Sequence, residues 1–224
     1  MTLQVAENTD IELEHRKARE AILRVRHEVA SADPDTLRML FTEARTHNGW
    51  LDRPVTDEQL HQVYELAKFG PTALNLQSLR IRFLRSAEAK EKLRPALSPN
   101  NVDKTMSAPV VAIFASDTEF WRHFPKTFPH NPAVAGLFSD NQEAAVGTAT
   151  MNATLQIAYF IIAARAVGLD CGPMGGFDKA KVDEAFFAGT THRSLLVCNL
   201  GFGDPEKVFR RLPRLDFDEV AEVL

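Results

Sequence analysis

The sequence predicts an α+β fold in which helices cover a β-sheet. Two continuous apolar runs, at 109–116 and 194–201, are typical of strands that are buried on both faces. A third segment, 79–85, alternates apolar residues with arginines, which is the period-two pattern of a half-buried strand. Helical patterns are mixed with these strands without a regular βαβ alternation, which favours a helix-covered sheet of the α+β class.

The chain before the first strand is predicted to be helical. Residues 9–31 form a charged helix with a thin apolar stripe, and the Asp33-Pro34-Asp35 turn ends it, so we expect Asp35 to cap the next helix. Thr56 and Gln59 have the spacing of a capping box and begin a helix that extends to about Phe69. We therefore predict a helical extension over 1–33 and a single domain over 34–224.

The second half of the chain contains further helices around a glycine-rich stretch. A capped helix is expected over 86–97, and a short helix near 178–187. Residues 144–164 carry no charge and approach the length of a membrane span, but Gly147, three threonines, Asn152 and Gln156 dilute their hydrophobicity. A core or subunit-interface helix is the favoured interpretation.

Composition excludes several classes of protein. The 224 residues are 45% hydrophobic, enough for a full core, and the net charge of -4 lacks the basic footprint of a nucleic-acid binder. The two cysteines, Cys171 and Cys198, fit neither a zinc site nor a disulfide framework. The acidic N-terminus does not resemble a signal peptide, so we expect a cytoplasmic protein with no metal, nucleic-acid or membrane partner.

Two familiar motifs are only weakly suggested. The stretch NLGFGDP contains Gly201 and Gly203, but it lacks the third glycine and the later acidic residue of a dinucleotide fingerprint. His192 and Ser194 are close in sequence, but no GxSxG elbow accompanies them. All four are more often ordinary loop residues than members of a site.

Groups that can bind anions lie beside several loops, and together they indicate a ligand. Each arginine taken singly is more often a solvated surface residue. Combined with an asparagine-containing turn and a glycine-rich loop, they match the needs of a phosphorylated planar cofactor, because arginine supplies several fixed donors to phosphate. These groups are Arg45-Thr46-His47, Thr72, Asn75, Arg210-Arg211 and Arg214.

Four segments, in order along the chain, resemble the nitroreductase family of flavin enzymes, and most closely its malonic semialdehyde reductase branch. They are RTHNGWLDRPV, AKFGPTALNLQSLRIRFLR, VGLDCGPMGGFD and NLGFGDPEKVFRRLPRLDFDEV. The resemblance spans roughly residues 37–223. It implies a nitroreductase-like fold with a central, mainly antiparallel sheet, and an intertwined homodimer that binds FMN at its interface with residues from both subunits.

The resemblance also implies roles for individual residues. Arg45 and Arg211 would hold the FMN phosphate, while Thr46 and His47 would contact the ribityl chain and flavin edge. A second phosphate-binding cation would be Arg210 or Arg214. The backbone of Gly175 and Gly176 would present an N–H near flavin N5, and helix 142–167 would form the dimer core. The residues implied to line the flavin are Pro71, Thr72, Ala73, Leu74, Asn75, Pro173, Met174, Gly175 and Gly176.

The implied reaction is ping-pong hydride transfer. NAD(P)H would reduce FMN, and a small electrophile would then take hydride from N5: an aldehyde such as malonic semialdehyde, giving 3-hydroxypropionate, or a nitroaromatic or quinone. An FMN-dependent oxidase or dehydrogenase, and a non-catalytic flavin-binding protein, are the alternatives. The turn 72–76 is more apolar than in relatives, so the substrate range could differ.

The aromatic segment at 120–131 has two interpretations of equal weight. It forms either a hydrophobic plug over the sheet or a mobile lid that fixes the electrophile against the flavin of the other subunit. The candidate lid residues are Phe120, Trp121, Phe124 and Phe128.

The stretch GLDCGPMGGFD is expected to end the long helix at Gly168. Gly175 and Gly176 would then let a flat ring approach the main chain, and Cys171 would be a packed thiol rather than a nucleophile.

Overall fold

The computed structural model describes the backbone of residues 2–224 and the side chains of residues 11–224. By compactness the chain divides into two units, Met1–Glu43 and Ala44–Leu224. The predicted helical extension, residues 1–33, lies within the first unit. The second unit contains the sheet and all of the predicted site residues.

The first unit is helical. Helix α1 spans Thr2–Glu28, helix α2 spans Pro34–Leu37, and a π-helical turn follows over Arg38–Thr42. The cap of α2 is Asp33, whose carboxylate accepts a hydrogen bond of 3.0 Å from the Thr36 N–H. The prediction that Asp35 is the cap was wrong, because Pro34 takes the first helical position and therefore moves the cap one residue before it.

The second unit is built on a four-stranded antiparallel sheet in the order β1-β2-β4-β3. Strand β2 is buried along its whole length, as the apolar run predicts, and it pairs with β1 on one side and β4 on the other. A register shift between Phe114 and Ala115 interrupts the β2–β4 pairing. The strands are β1 (Leu79–Leu84), β2 (Val110–Asp117), β3 (Asp170–Met174) and β4 (His192–Gly201).

Strand β3 was not predicted, because its sequence, DCGPM, reads as a turn. It pairs antiparallel with β4 and lies at the edge of the sheet. An edge strand tolerates Pro173, since a proline without an N–H can face away from its only partner strand. The glycine-rich stretch therefore begins as a strand after Gly168 ends the preceding helix with a φ of +78°.

Helices cover both faces of the sheet. On one face α3 (Asp57–Ala67) and α8 (Gln142–Ala166) pack together, and Phe160 of α8 meets Phe114 of β2 edge to face at 5.0 Å. The other face packs on Leu93, Val182 and Phe187. The predicted capping box of α3 is present, with Thr56 and Gln59 exchanging hydrogen bonds. The remaining helices of the second unit are α4 (Ala87–Leu93), α5 (Pro99–Met106), α6 (Phe124–Thr127), α7 (Gly136–Ser139), α9 (Lys179–Phe187) and α10 (Phe217–Val220).

Helix α8 is long and apolar enough to meet the length and composition of a membrane span. One side of it lies in the core, where Asn152 and Gln156 are buried and hydrogen-bonded to the segment before and at the start of β1. The other side exposes Val146, Met151 and Leu155. Its apolar composition is thus explained in part by packing on the sheet.

Candidate functional site

The first group of predicted site residues lies beside the outer edge of β3. Thr46 forms a parallel bridge with Cys171, and the His47 N–H donates to the Cys171 carbonyl at 3.0 Å. Segment 45–47 therefore runs alongside the strand that ends in the glycine-rich turn. The structure brings together two predicted elements that are more than 120 positions apart in the sequence.

Arg45 and Arg211 also come together here. Arg45 donates to the Phe209 carbonyl, and Arg211 donates to the Ala44 carbonyl at 3.3 Å. Each arginine thus crosses to the backbone beside the other. Since a guanidinium carries five N–H donors, both keep donors for an anion. Of the two candidate second cations, Arg214 donates to its neighbouring carbonyls of Leu212 and Pro213.

His47 is held by protein groups. Its Nε2 lies 3.3 Å from the Asp170 carboxylate, and its ring occupies the space beside Gly203. Nδ1 is buried and has no hydrogen-bond partner among the described residues. The structure thus assigns His47 a packing contact between segment 45–50 and the ends of β3 and β4.

Asp170 is the partner that sequence reasoning missed. Burial raises the pKa of Asp170, but hydrogen bonds from His47 and from the Gly203 N–H, at 2.8 Å, outweigh it, so the pKa lies below its ordinary value. The carboxylate is consequently ionised at neutral pH. It joins segment 45–50 to the turn after β4.

The two glycines of the GPMGG turn differ in their surroundings. A Cβ added at Gly176 would lie 2.7 Å from the Asn101 amide nitrogen, and the Gly176 carbonyl accepts hydrogen bonds from Ser98 N–H and Asn101. A Cβ added at Gly175 would meet nothing within 4 Å. Protein packing therefore explains the need for glycine at 176, whereas only Gly175 leaves an open approach to the main chain.

Asn101 and Ser98 were not predicted as site residues. They lie at the start of α5 and hold the glycine-rich turn in place. The Ser98-Pro99 pair could have located the beginning of the helix. The contact with Gly176 spans 75 positions, and no local pattern signals it.

The second group of predicted site residues, Pro71 to Asn75, lies just before β1. The Ala73 N–H donates to Asn152 at 2.9 Å, and Tyr159 donates to the Pro71 carbonyl at 3.0 Å, so α8 anchors this segment. Leu74 and Asn75 have φ angles of 53° and 50°. Two consecutive left-handed residues other than glycine are costly and persist only where the surroundings impose them.

The two groups lie at opposite ends of the sheet order. Segment 71–75 precedes β1, and segment 173–176 ends β3, with β2 and β4 between them. Three strand spacings separate these edges, about 14 Å. The two groups of predicted residues therefore lie at opposite edges of the sheet in one chain.

The aromatic segment forms a separate cluster. Phe120 and Phe124 are fully buried, and they pack edge to face with each other at 5.8 Å and against Phe138. Trp121 and Phe128 are only partly buried at the margin of this cluster. The burial of Phe120 and Phe124 fits the plug interpretation. Of the four candidate lid residues, only Trp121 and Phe128 are exposed enough to act as a lid.

Both cysteines are buried and free. A hydrogen bond with Cys171 and burial raise the pKa of the Cys198 thiol well above its usual value, so it stays protonated at neutral pH. The environment of this pair matches packed thiols rather than nucleophiles.

The family model described as the nitroreductase family matches residues 42–202. A protein of Ralstonia pickettii with the provisional name NADH dehydrogenase/NAD(P)H nitroreductase HadB is 58% identical over 83% of this chain and 96% of its own length. A Cupriavidus pinatubonensis protein with the same kind of provisional name is 53% identical over 84% of this chain and 97% of its own length.

The fold also matches solved structures. A nitroreductase structure from Exiguobacterium sibiricum, determined in complex with FMN, aligns with a TM-score of 0.76 at 19% identity and covers 87% of this chain and 99% of that one.

We expect Asp170→Asn to lower the free energy of unfolding at neutral pH by about 1 kcal/mol, because it weakens the contacts to His47 and Gly203 on a partly exposed group. The native pKa of Asp170 is lowered, so its contribution is present above the ordinary value of 3.8 and is lost as the pH falls below it. Urea unfolding at about pH 7 and about pH 3.5 measures both effects.

Asp52→Asn, at an exposed position, serves as the control. A difference between wild type and Asp170→Asn that is equally large at both pH values would contradict this assignment.

Proposed function

The chain belongs to the nitroreductase family, and from that premise we propose that it is a cytoplasmic homodimer that reduces a small electrophile. It is an FMN-dependent NAD(P)H oxidoreductase. The proposed electrophile is an aldehyde such as malonic semialdehyde, giving 3-hydroxypropionate, or a nitroaromatic or quinone. The names of the relatives support nitroaromatic compounds as the first acceptors to test.

The observation that carries the proposal is that Arg45 and Arg211 each bond to backbone beside the other, next to the strand that ends at Met174, one residue before Gly175. FMN has an anionic phosphate at one end and a flat ring at the other. Two neighbouring guanidinium groups suit the phosphate, and a glycine with open space on its Cβ side suits close approach of the ring. The residues present therefore fit FMN.

FMN supplies the redox chemistry when it is bound, and the protein positions it. Arg45 and Arg211 would hold the phosphate, and Thr46 would lie along the ribityl chain. Main chain at Pro173, Met174 and Gly175 would support one edge of the ring. Pro71, Thr72, Ala73, Leu74 and Asn75 would line the ring from the second group, which α8 holds in a fixed conformation.

The homodimer is supported by the separation of the two groups and by exposed apolar surface. A second copy can bring segment 71–75 of one chain to segment 173–176 of the other, which the sheet order of one chain keeps apart. Helix α8 exposes Val146, Met151 and Leu155. The C-terminal tail exposes Phe209, Leu212, Leu215, Phe217, Val220 and Val223, apolar surface that favours an interface.

Trp121 and Phe128 are the proposed lid residues. They lie at the edge of the aromatic cluster, and the Thr127 carbonyl beside Phe128 accepts a hydrogen bond of 2.8 Å from Asn75. The segment is thereby attached to a residue proposed to line the ring. Movement of these two side chains would exclude water from the electrophile.

We expect the purified protein to be yellow and to bleach anaerobically when NADH or NADPH is added. Arg45→Ala and Arg211→Ala should each raise the Kd for FMN by roughly 10- to 100-fold, because each removes a charge-assisted contact worth about 1.5–3 kcal/mol. Fluorescence titration of the apoprotein with FMN measures this. Arg94→Ala, at an exposed arginine paired with Glu91, is the control and should bind FMN as wild type does.

A colourless protein that takes up no added FMN contradicts the proposal. A yellow protein that no nicotinamide nucleotide bleaches favours the oxidase or dehydrogenase alternative.

The two glycines should respond differently to a side chain. Gly175→Val should fold normally and lose FMN, because its side chain enters open space where the ring is proposed to lie. Gly176→Val should lower the melting temperature, because its side chain meets Asn101 and Ser98. Thermal unfolding and FMN content of both variants test this. Full FMN retention by a folded Gly175→Val would contradict the proposed position of the flavin ring beside Gly175.

A site shared between two chains can be tested by complementation. One copy would carry Arg45→Ala and Arg211→Ala, and the other would carry Asn75→Gly, which keeps the positive φ while removing the amide. In a heterodimer purified through two different tags, one site then has both groups intact and the other has both defective. We expect FMN in one of the two sites, with wild-type affinity, by flavin absorbance and titration.

If each site were built within one chain, every site of the heterodimer would carry one defect. FMN affinity would then equal that of the two parent variants, and the shared site would be excluded.

A further inference from the structure

A basic cavity of about 890 Å³ opens beside Asn75 and is not accounted for by the proposed FMN contacts. It lies between the end of α3, the start of β1, the end of β2 and the segment 123–127. The residues that matter for its chemistry are Lys68, Arg80, Asp117, His123, Lys126 and His192.

Cations outnumber carboxylates on the wall of this cavity. Asp117 is the one carboxylate among the described lining residues, and Arg80 satisfies it through a contact of 2.6 Å. Lys68 is partly neutralised by Glu65, at 2.5 Å. Lys126 also lines the cavity and is exposed, and none of the ion pairs formed within residues 11–224 involves it.

Arg80 serves as a support rather than as a free ligand. Its Nη1 donates to the carbonyls of Gln77 and Leu79, and its Nη2 contacts both Asp117 and His123. On the arginine face of β1, Arg80 therefore meets a buried carboxylate. The guanidinium thus fixes the positions of Asp117 and His123.

This contact also sets the tautomer of His123. Its Nε2 lies 2.6 Å from Arg80 Nη2, and because a guanidinium can only donate, Nε2 must accept. The proton of the neutral ring is then on Nδ1, so His123 retains one N–H donor. The side chain of His123 is 50% exposed and lines the cavity.

His192 lies on the same wall. Its Nε2 is 3.9 Å from Asp117, and its buried Nδ1 has no partner among the described residues. Burial lowers the pKa of His192, and the positive charges of Arg80 and Arg82 lower it further. The Asp117 carboxylate raises it, but by less, so the pKa lies below its ordinary value. The ring is consequently neutral at pH 7 and adds no charge.

We propose that this cavity binds the oxyanion of a ligand, a carboxylate or phosphate, through Lys126 and His123, with Arg80 and Asp117 as positioning residues. The inference rests on the proposed function for the source of the anion. One source is an electrophile that carries a carboxylate, and the other is the 2′-phosphate of NADPH. An exposed lysine that has no ion pair among the described residues, together with a histidine N–H, supplies the donors that an oxyanion requires.

The hydrogen bond from Asn75 to Thr127 places the cavity next to the proposed flavin-lining segment. A ligand held here by its anionic group would therefore lie beside that segment.

The experiment measures binding to the oxidised holoenzyme by calorimetry at low salt. For the first source the probes are 4-nitrobenzoate and its neutral analogue 4-nitrobenzamide, and for the second they are 2′-AMP and adenosine. Lys126→Gln is the test variant. Lys92→Gln, at an exposed lysine on α4, is the matched control for the loss of one positive charge.

We expect Lys126→Gln to raise the Kd of one anionic probe by roughly fivefold, with its neutral analogue and the Lys92→Gln control unchanged. A raised Kd for 4-nitrobenzoate identifies the electrophile as the source of the anion, and a raised Kd for 2′-AMP identifies NADPH. The effect should fade at about 1 M salt, where the charges are screened. For each probe pair, the Kd of the anion is divided by the Kd of its neutral analogue. The proposal is overturned if Lys126→Gln leaves both of these ratios at their wild-type values.

FMN content and bleaching by NAD(P)H are measured on the same preparations. A flavin-loaded protein that bleaches but shows no response to Lys126→Gln contradicts only the anion site. A protein that neither retains FMN nor bleaches contradicts the proposed function, and the same calorimetric comparison on the flavin-free protein then decides whether the cavity binds an anion.

Discussion

The antiparallel sheet order β1-β2-β4-β3 is the constraint on which the rest of the second unit depends. Because β2 is buried along its length and paired on both sides, helices must cover both faces of the sheet. The same order places the segments that enter β1 and leave β3 at opposite edges. Residues that the family resemblance assigns to one flavin are therefore divided between the two edges of the sheet, which supports the proposed homodimer.

Close approach of backbones at the β3 edge organises the first of these places. A Cβ at Gly172 would lie 2.7 Å from the His47 carbonyl, and one at Gly201 would lie 2.9 Å from the Trp50 ring. Segment 45–50 can pack this tightly only against glycines. This packing carries Arg45 to the tail backbone and leaves Gly175, one residue past the strand, with open space.

A buried or partly buried carboxylate holds neighbouring side chains in position at each edge of the sheet. Asp170 joins His47 to the turn after β4, and Asp117 accepts from Arg80 and Thr191 at the other end of the sheet. Burial raises the pKa of Asp117, but its hydrogen bonds and the Arg80 charge outweigh this and lower it overall. Both carboxylates stay ionised at neutral pH and hold neighbouring cations or rings in position.

The sequence alone determined the α+β class, the apolar strands β2 and β4, the capping box of α3 and the end of the long helix at Gly168, because hydrophobic periodicity, caps and glycine conformation are local properties. The sequence did not predict strand β3, because a strand that contains glycine and proline resembles a turn. It also did not predict the cap at Asp33, because Pro34 shifts the start of the helix. Only the tertiary structure decided three sets of contacts. Arg45 and Arg211 each bond to backbone beside the other, Asn101 donates to the Gly176 carbonyl, and Arg80 contacts Asp117 and His123. These contacts join residues tens of positions apart, and their geometry follows from the order in which the strands pair rather than from any pattern along the chain.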